Sequence, residues 1–242
     1  MKRLLIIGYG QMGKMIEELA EDQGFEVVGI IDPKLGKALN KKNIGDSEIA
    51  IEFTQPSMAV DNIKICLELG LKVVCGTTGW YENLREVTGL VERYNGALVY
   101  GSNFSPGMNI FYEIVAYASR QINAVSGYDA YGYELHHRYK KDSPSGTAKK
   151  LGNLLLENLK NKSNLVYDKL DRQKTDKEIH FASVRAGEIA GEHRIGFDSE
   201  YDTIELKHSA RNRRGLAIGA LMAANWIADK KGIHEFSSVI KS

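Results

Sequence analysis

A glycine-rich segment near the amino terminus constrains the fold more than any other feature of the sequence. The apolar run Leu4–Ile7 leads into Gly8-Tyr9-Gly10-Gln11-Met12-Gly13, and apolar residues then recur at helical spacing as far as Leu19. Strand, glycine turn and helix in this order form the context in which a G-x-G-x-x-G pattern binds a dinucleotide. The first glycine permits a tight turn, the second lets the backbone approach a pyrophosphate, and the third lets helix and strand pack closely.

Asp32 completes this cofactor pattern, because it ends the second apolar run, Val27–Ile31. A carboxylate in this position accepts hydrogen bonds from the hydroxyls of a ribose. Lys34 and Lys37 follow closely and could instead hold the 2′-phosphate of NADPH, or could lie in a solvated loop. The sequence therefore predicts a nicotinamide cofactor and leaves both NADH and NADPH open.

Short apolar runs alternate with helical patterns through the first hundred residues, which predicts crossover units and a parallel sheet. In open α/β sheets, ligands lie outside the carboxyl ends of the strands. Two loops of small and hydroxyl-bearing residues follow predicted strands and suit a nicotinamide and its ribose. These loops are Gly76-Thr77-Thr78-Gly79 and Gly101-Ser102-Asn103-Phe104.

Beyond about residue 104 the hydrophobic pattern changes to a period of two. Tyr131, Tyr133 and Leu135 alternate with smaller or polar residues, as in strands of an antiparallel or mixed sheet with one exposed face. A helix is predicted over about 146–160 and a polar loop over 161–177. The Ala-rich stretch 216–227 is predicted to be a helix that returns to the first domain.

Composition excludes several classes of function. The chain has 32 Lys and Arg residues against 31 Asp and Glu residues, so no overall field attracts nucleic acid or an anionic membrane. Its two cysteines, Cys66 and Cys75, show no metal-ligand spacing. The run Leu4–Ile7 is too short for a signal peptide or a membrane span. We therefore expect a soluble, cytoplasmic protein with no metal site and with no nucleic-acid or membrane partner.

Two histidines and a lysine follow a predicted strand in the second half of the chain. His136 and His137 end the strand, and Lys140 lies in the basic loop that follows. Histidine exchanges a proton near neutral pH, and lysine adds a mobile cation with three donors. Since adjacent strand residues point to opposite faces, both histidines contact one ligand only if the strand ends there.

The same loop leads into a predicted helix start. Ser145 is a candidate N-cap, after which Gly146 and Thr147 present N–H groups that lie beyond the helical ladder. Such a helix start forms an anion pocket that is well matched to a carboxylate.

The stretch from Glu134 to Ala148 resembles the E-x-H-H-x-x-K-x-D-x-P-S-G-T-A signature of the 4-hydroxy-tetrahydrodipicolinate reductase family, also called dihydrodipicolinate reductases. Further segments similar to the family lie in the same order along nearly the whole chain. They are Glu52-Phe53-Thr54-Gln55-Pro56, Gly76-Thr77-Thr78-Gly79, Asn103-Phe104-Ser105-Pro106-Gly107-Met108-Asn109, Ser183-Val184-Arg185-Ala186-Gly187-Glu188, Gly191-Glu192-His193 and His208-Ser209-Ala210.

The resemblance implies an α/β fold with two domains. A Rossmann-like parallel-sheet domain would comprise 1–104 with 214–242, and an α+β domain with a mixed sheet, 105–213, would bind substrate and form a homotetramer. The implied reaction is the reduction of 4-hydroxy-tetrahydrodipicolinate, a dicarboxylate, to tetrahydrodipicolinate with loss of water. It uses NADH or NADPH and belongs to lysine and diaminopimelate biosynthesis.

The resemblance also implies roles for individual residues. His136 would be a proton donor and acceptor, and Lys140 a proton donor. Substrate contacts would come from His137, Ser145, Gly146, Thr147 and Arg213, the last of which also fits a solvated arginine in the basic run 211–214. Cofactor contacts would come from Gly8, Tyr9, Gly10, Gln11, Met12, Gly13, Asp32, Gly76, Thr77, Thr78, Gly101, Ser102, Asn103 and Phe104.

Two departures from the family pattern bear on cofactor preference. The glycine loop is a residue shorter than the family's common form, and the stretch after Asp32 is short. Two other functions share the glycine loop: an NAD(P)-dependent amino-acid dehydrogenase of the aspartate dehydrogenase type, and a non-enzymatic NAD(P) sensor. Neither function requires the His-His-x-x-Lys segment that leads here into Ser-Gly-Thr.

Overall fold

The computed structural model describes residues 1–167 and 169–241, so residues 168 and 242 of the ranges predicted above lie outside the described residues. The chain divides into two compact units. The first comprises Met1–Pro106 together with the chain from Arg214 onwards, and the second comprises Gly107–Arg213.

The first unit is built on a parallel sheet of six strands. The strands are β1 (Lys2–Ile7), β2 (Phe25–Ile31), β3 (Ile49–Glu52), β4 (Lys72–Cys75), β5 (Ala97–Tyr100) and, late in the chain, β11 (Gly232–Glu235). They lie in the order β11-β5-β4-β3-β1-β2, and all neighbouring strands are parallel. The strand order reverses between β1 and β3, which makes this edge the expected ligand site of an open α/β sheet.

Helices cover both faces of this sheet. They are α1 (Gln11–Ala20), α2 (Pro56–Glu68), α3 (Leu84–Arg93), α6 (Arg214–Ile227) and the short α7 (Ser237–Ile240). Leu4 and Ile6 of β1 pack into a core with α1 and α6, whereas Leu5 and Ile7 pack into a core with α2 and α3. Burial on both faces explains why β1, β3, β4 and β5 consist mainly of apolar residues.

The second unit is built on a mixed sheet of five strands. Its elements are α4 (Pro106–Asn123), β6 (Asp129–His136), α5 (Gly146–Asn158), β7 (Asn164–Val166), β8 (Glu178–Arg185), β9 (Glu192–Asp198) and β10 (Thr203–Ser209). The order is β10-β9-β6-β8-β7, with β8 parallel to both β6 and β7 and with β9 antiparallel to both β6 and β10. Alternate residues of β6 are buried, and the core lies on the face that packs against α4 and α5.

The predicted architecture, a Rossmann-like parallel sheet and a second domain with a mixed sheet, is confirmed, and the Ala-rich helix α6 belongs to the first unit. Several elements were not predicted individually: the helix α4 and the strands β8 and β9 of the second unit, and the two short strands β7 and β11. β7 lies within the stretch predicted as a polar loop, and β11 follows α6. Both are edge strands held by main-chain pairing to β8 and β5, and such pairing leaves little trace in the side-chain pattern. Among the described residues, no helix has the length and apolar character that crossing a membrane requires.

Candidate active site

The glycine loop lies at the switch point of the first unit, and its three glycines have different surroundings. A Cβ on Gly8 would lie 2.1 Å from the Phe53 carbonyl oxygen, and a Cβ on Gly13 would lie 2.1 Å from the Gly8 carbonyl oxygen. A Cβ on Gly10 would meet no atom within 4 Å. The first and third glycines are therefore required by packing within the protein, whereas the second leaves open space beside the backbone, where a pyrophosphate could approach.

A cleft of about 410 Å³ opens beside this loop. Its lining residues are Gly10, Gln11, Met12, Phe53, Thr54, Pro56, Gly76, Thr77 and Thr78. The structure thus brings the glycine loop and the loop 76–79 together in the lining of one cleft. The Thr54 amide donates to Thr77 Oγ1 at 2.8 Å and so joins the loop 76–79 to the residues that follow β3. Phe53, Thr54 and Pro56 were not predicted as cofactor contacts, although their position after β3 would have placed them at the switch point.

The third predicted loop, Gly101-Ser102-Asn103-Phe104, follows β5, two strands beyond β3 in the sheet. The Phe104 ring is buried in the core, with its centroid 4.7 Å from that of Phe236 and 6.1 Å from that of Phe53. Any contact of Phe104 with a cofactor would therefore involve its backbone. The contacts predicted for this loop stay predictions.

Asp32 is fixed at the end of β2 by two backbone donors. Its Oδ2 accepts from the Tyr9 amide at 2.7 Å, and its Oδ1 accepts from the Lys34 amide at 2.8 Å. These hydrogen bonds lower the pKa of the Asp32 carboxyl below its ordinary value, so the group is ionised at neutral pH. Lys34 and Lys37 are exposed in the turn that follows. A permanent negative charge at this point favours a ribose with a free 2′-hydroxyl over one with a 2′-phosphate.

The histidine pair lies at the carboxyl end of β6. His136 is the last residue of the strand and is buried, and His137 is the first residue beyond it and is half-buried. The strand alternation therefore does not force the two side chains onto opposite faces. Hydrogen bonds hold the chain on both sides of the pair, from the Ala186 amide to the His136 carbonyl at 2.9 Å and from the Arg138 amide to the Gly187 carbonyl at 3.1 Å.

The carboxylate of Glu134, two residues before His136, is fully buried and is contacted from three other segments. Its Oε1 accepts from the Ser145 amide, Ser183 Oγ and Arg185 Nη2, each at 2.9 Å. Its Oε2 accepts from the Ser145 hydroxyl, and His193 Nε2 lies 3.4 Å from the same oxygen. Burial by itself raises the pKa of Glu134, but these donors outweigh it and hold the pKa well below the usual range.

His136 is poised as a neutral imidazole. Its Nδ1 lies 3.3 Å from Glu134 Oε2 without forming a hydrogen bond. Burial lowers the pKa of His136 to about 4; the Glu134 carboxylate opposes this shift, whereas the positive groups nearby, Lys140 and Arg185 among them, add to it. Above that pH the imidazole is uncharged, and it gains a proton readily only if a further negative charge is bound beside it.

Lys140 lies on the loop between β6 and α5. Its Nζ pairs with Asp142 Oδ1 at 2.7 Å, and the lysine side chain is 22% exposed. Arg185 Nη2 donates to the Asp142 carbonyl at 2.7 Å as well as to Glu134. Arg185 therefore connects the buried carboxylate to the loop that carries Lys140.

Ser145 is the N-cap of α5, as predicted, and its Oγ accepts from the Ala148 amide at 3.1 Å. Its own amide and hydroxyl hydrogens are both donated to Glu134. The contact predicted between Ser145 and a substrate carboxylate would therefore need a change of partner. Gly146 is exposed and Thr147 half-buried at the first two positions of the helix.

Arg213, the remaining predicted substrate contact, is exposed in the segment immediately before α6. Its contact with a substrate stays a prediction.

Glu134, His136 and His193 together approach the arrangement of a metal site. One ligand atom of each lies within 4.8 Å of those of the other two, and all three residues are buried. However, both oxygens of Glu134 already accept hydrogen bonds, and the Arg185 guanidinium beside them opposes a second cation. The donor set therefore fits a hydrogen-bonded cluster better than a metal centre.

Glu134, Ser183, Arg185 and His193 were not predicted as site residues. All four lie in the segments that resemble the family, so the sequence offered a signal that could have drawn attention to them. Their convergence on one carboxylate depends on the pairing of β6 with β8 and β9, which places Ser183 and His193 directly opposite Glu134. Strand pairing of this kind cannot be deduced from local patterns.

Two family models match nearly the whole chain. The model described as dihydrodipicolinate reductase, N-terminus, matches residues 2–104, and the model described as dihydrodipicolinate reductase, C-terminus, matches residues 107–240.

Individual relatives give the same picture. A protein of Christiangramia forsetii named 4-hydroxy-tetrahydrodipicolinate reductase is 34% identical over 239 residues, covering 98% of this chain and 97% of its own. One of Methanoregula boonei with the same name is 34% identical over 254 residues, covering 99% and 98%. A dipicolinate-bound dihydrodipicolinate reductase from Paenisporosarcina sp. TG-14 superposes with a TM-score of 0.78 at 22% identity, covers 97% of both chains and shows the shared fold.

The different surroundings of Gly10 and Gly13 predict different effects of the same substitution. Gly10→Ala should leave thermal stability unchanged, because the new Cβ enters open space and the backbone at Gly10 is extended. It should weaken binding of a nicotinamide dinucleotide at least tenfold, or about 1.4 kcal/mol, by blocking the pyrophosphate. Gly13→Ala should destabilise the fold by about 1–3 kcal/mol through overpacking. Fluorescence titration with NADH and thermal unfolding measure both effects; unchanged NADH affinity in Gly10→Ala would contradict the assignment of the cleft.

Proposed function

The chain belongs to the dihydrodipicolinate reductase family, and from that membership we propose that it reduces 4-hydroxy-tetrahydrodipicolinate to tetrahydrodipicolinate in lysine and diaminopimelate biosynthesis. The substrate gains one hydride and one proton and loses one water. NADH or NADPH supplies the hydride when it is bound. The observation that carries the proposal is the full-length family match, together with His136 at the end of β6 and Lys140 on the loop that leads from β6 to the start of α5.

The second unit offers suitable groups for a dicarboxylate. The solved relative is described as dipicolinate-bound, and dipicolinate carries two carboxylates on one ring. We place one carboxylate at the start of α5, where the amides of Gly146 and Thr147 begin the helix. His137 and Lys140 add polar and cationic contacts, and Arg213 is the candidate for a further charge-assisted bond.

Lys140 and His136 supply the charge neutralisation and the proton that the reaction needs besides the hydride. Reduction of a conjugated ring leaves negative charge on it, which the Lys140 ammonium group neutralises. The proton that completes the reaction comes from Lys140 or from His136, whose low pKa keeps it neutral until substrate binds. The two carboxylates of a bound substrate raise that pKa, so the histidine carries a proton mainly when there is a substrate to receive it.

We place the cofactor in the cleft of the first unit, and the surroundings of Asp32 support NADH over NADPH. The Asp32 carboxylate is held by the Tyr9 and Lys34 amides, with free lone pairs for a ribose diol. A 2′-phosphate would meet this fixed negative charge, and the exposed lysines of the following turn would have to offset it. We therefore propose that NADH is the preferred of the two cofactors.

The two alternative functions are less well supported. An amino-acid dehydrogenase or an NAD(P) sensor accounts for the cleft of the first unit but not for the family match over residues 107–240. That match covers all the residues of the second unit to which catalytic or substrate roles were assigned.

We further propose that the protein is a homotetramer assembled through the second unit and that it works in the cytoplasm, where the nicotinamide cofactors of biosynthesis are available. One face of the second sheet packs against α4 and α5. The opposite face carries the half-buried Tyr131 and Tyr133, and Val184, which is 45% exposed. Aromatic and aliphatic groups on a sheet face suit contact with another copy of the chain.

The oligomeric state can be measured directly. Light scattering coupled to size-exclusion chromatography should give a mass about four times the 27.0 kDa of the chain. Val184→Lys should lower this mass by placing a charge in the interface. Lys34→Ala, which changes an exposed residue of the first unit, should not. A 27.0 kDa species at all concentrations would contradict the proposal.

The reaction can be tested in a coupled assay. Purified protein is mixed with a dihydrodipicolinate synthase, pyruvate and aspartate semialdehyde, and the loss of NADH and of NADPH absorbance is followed in parallel. We expect substrate-dependent oxidation that is faster with NADH and falls at least about 100-fold in His136→Ala. Binding of NADH without any oxidation would retain the cofactor site and reject the substrate.

Lys140 and its exposed neighbour Lys141 provide a matched pair. Lys140→Met removes the cation and keeps the length of the side chain, so kcat should fall about 100-fold or more while the Kd for NADH changes less than about threefold. Lys141→Met should leave both values near those of the wild type. Equal losses in kcat and in NADH affinity for Lys140→Met would contradict a role in the chemical step.

A further inference from the structure

The two oxygens of the buried Glu134 carboxylate have different partners. Oε1 accepts three hydrogen bonds at 2.9 Å, from the Ser145 amide, Ser183 Oγ and Arg185 Nη2. Oε2 accepts from the Ser145 hydroxyl and faces the two imidazoles, with His136 Nδ1 at 3.3 Å and His193 Nε2 at 3.4 Å. One side of the carboxylate is therefore anchored to the protein, and the other side is turned towards the histidines.

The two ring nitrogens of His136 have different surroundings as well. Nδ1 lies beside Glu134 Oε2. Nε2 lies on the other side of the ring, next to Gly191, and a Cβ added to that glycine would be 3.1 Å from Nε2. Because residue 191 is a glycine, no side chain occupies that position. The proton of a neutral imidazole goes to the nitrogen that faces an acceptor, and the other nitrogen is left with its lone pair. Here the acceptor that lies nearest to Nδ1 is the Glu134 carboxylate, at 3.3 Å, although the two atoms do not meet the geometry of a hydrogen bond.

We propose that Glu134 is a positioning residue that holds His136 with its proton on Nδ1, so that Nε2 is the nitrogen that exchanges a proton with the substrate. The negative charge of Glu134 also stabilises the imidazolium that forms when Nε2 is protonated. This inference rests on the proposed function for the role of Nε2 in turnover, but the tautomer itself is a property of the resting protein.

Glu134 acts through its charge and is not a proton relay. Its donors hold its pKa well below the usual range, so it does not pick up a proton at any pH where the enzyme works. The charged and titratable groups around His136 are Glu134 on its own strand, Arg185 on β8, His193 on β9 and Lys140 on the following loop. Among these, Glu134 is the negative group, and it opposes the lowering of the His136 pKa by burial and by the cations.

Glutamine at position 134 should reverse the tautomer. The three donors on Oε1 require an acceptor, so the glutamine carbonyl takes that side and its NH₂ group replaces Oε2. The NH₂ group then donates to His136 Nδ1, which must become an acceptor, and the imidazole proton moves to Nε2. The substitution keeps the volume of the side chain, so a large change in activity would come from the proton and the charge.

Glu178 provides a matched control. It is the first residue of β8, whereas Arg185, the arginine that pairs with Glu134, is the last residue of that strand. It is also buried and paired with an arginine, with Arg172 Nη2 at 2.6 Å, and its pKa is lowered to about 2 mainly by that arginine. Glu178→Gln removes a carboxylate of the same kind from the same sheet without touching the histidines. Any effect that comes only from breaking an arginine–carboxylate pair should appear in both variants.

The experiment compares the wild type, Glu134→Gln and Glu178→Gln as full-length proteins. We expect kcat of Glu134→Gln to fall on the order of 100-fold or more, with the Kd for NADH unchanged, and the limb of the pH profile that reports His136 to move to lower pH. Glu178→Gln should keep the wild-type kcat and pH profile even if its melting temperature falls. An active wild type whose pH profile and kcat survive in Glu134→Gln would overturn the inference.

Nitrogen-15 NMR of the six histidines gives a readout that does not depend on turnover. The signals of His136 are assigned from their loss in His136→Gln. The wild type should carry the neutral-form proton on Nδ1, and Glu134→Gln should carry it on Nε2. A wild-type proton on Nε2 would refute the inference even if Glu134→Gln failed to fold. An inactive wild type with the proton on Nδ1 would reject the proposed reaction and leave the positioning of His136 intact.

Discussion

The candidate active site depends on a charge that the protein has buried. A carboxylate removed from water costs several kcal/mol unless donors replace its hydration, and Glu134 is fully buried. Its donors come from the N-cap of α5, from β8 and from β9, so the charge is tolerated only where these elements meet. The same contacts fix the start of α5, where we propose that a substrate carboxylate binds, and through Arg185 they fix the loop that carries Lys140.

The first unit uses a related device at the carboxyl end of β3. Glu52 is fully buried, and its carboxylate accepts from the Thr54 amide at 3.2 Å and from the Cys75 thiol at 3.1 Å. The Thr54 amide in turn donates to Thr77 Oγ1. Loops at the ends of β3 and β4 are thereby held together beside the glycine loop. In both units, a buried acid at or near the carboxyl end of a strand fixes the backbone of the loops that carry the candidate binding residues.

The sequence predicted those parts of the molecule that leave a local pattern. The glycine loop, Asp32, the N-cap Ser145 and the apolar strands of the first sheet each follow from a few neighbouring residues, and the structure has them where expected. Edge strands β7 and β11, and the cluster around Glu134, depend on which strands pair. Glu134, Ser183 and His193 are far apart in the chain and become neighbours only through the register of β6 with β8 and β9.

This difference explains why the sequence identified His136 but not what controls it. A histidine can be recognised as a candidate from its chemistry alone. Glu134, two residues earlier on the same face of β6, carries no local pattern that distinguishes it from a structural residue. Burial and the neighbouring positive groups, Lys140 and Arg185 among them, lower the pKa of His136 to about 4, and the Glu134 carboxylate opposes this shift. Without the fixed negative charge of Glu134 beside it, His136 would be a weaker base still, so in the proposed reaction the histidine depends on a carboxylate that no local sequence pattern singles out.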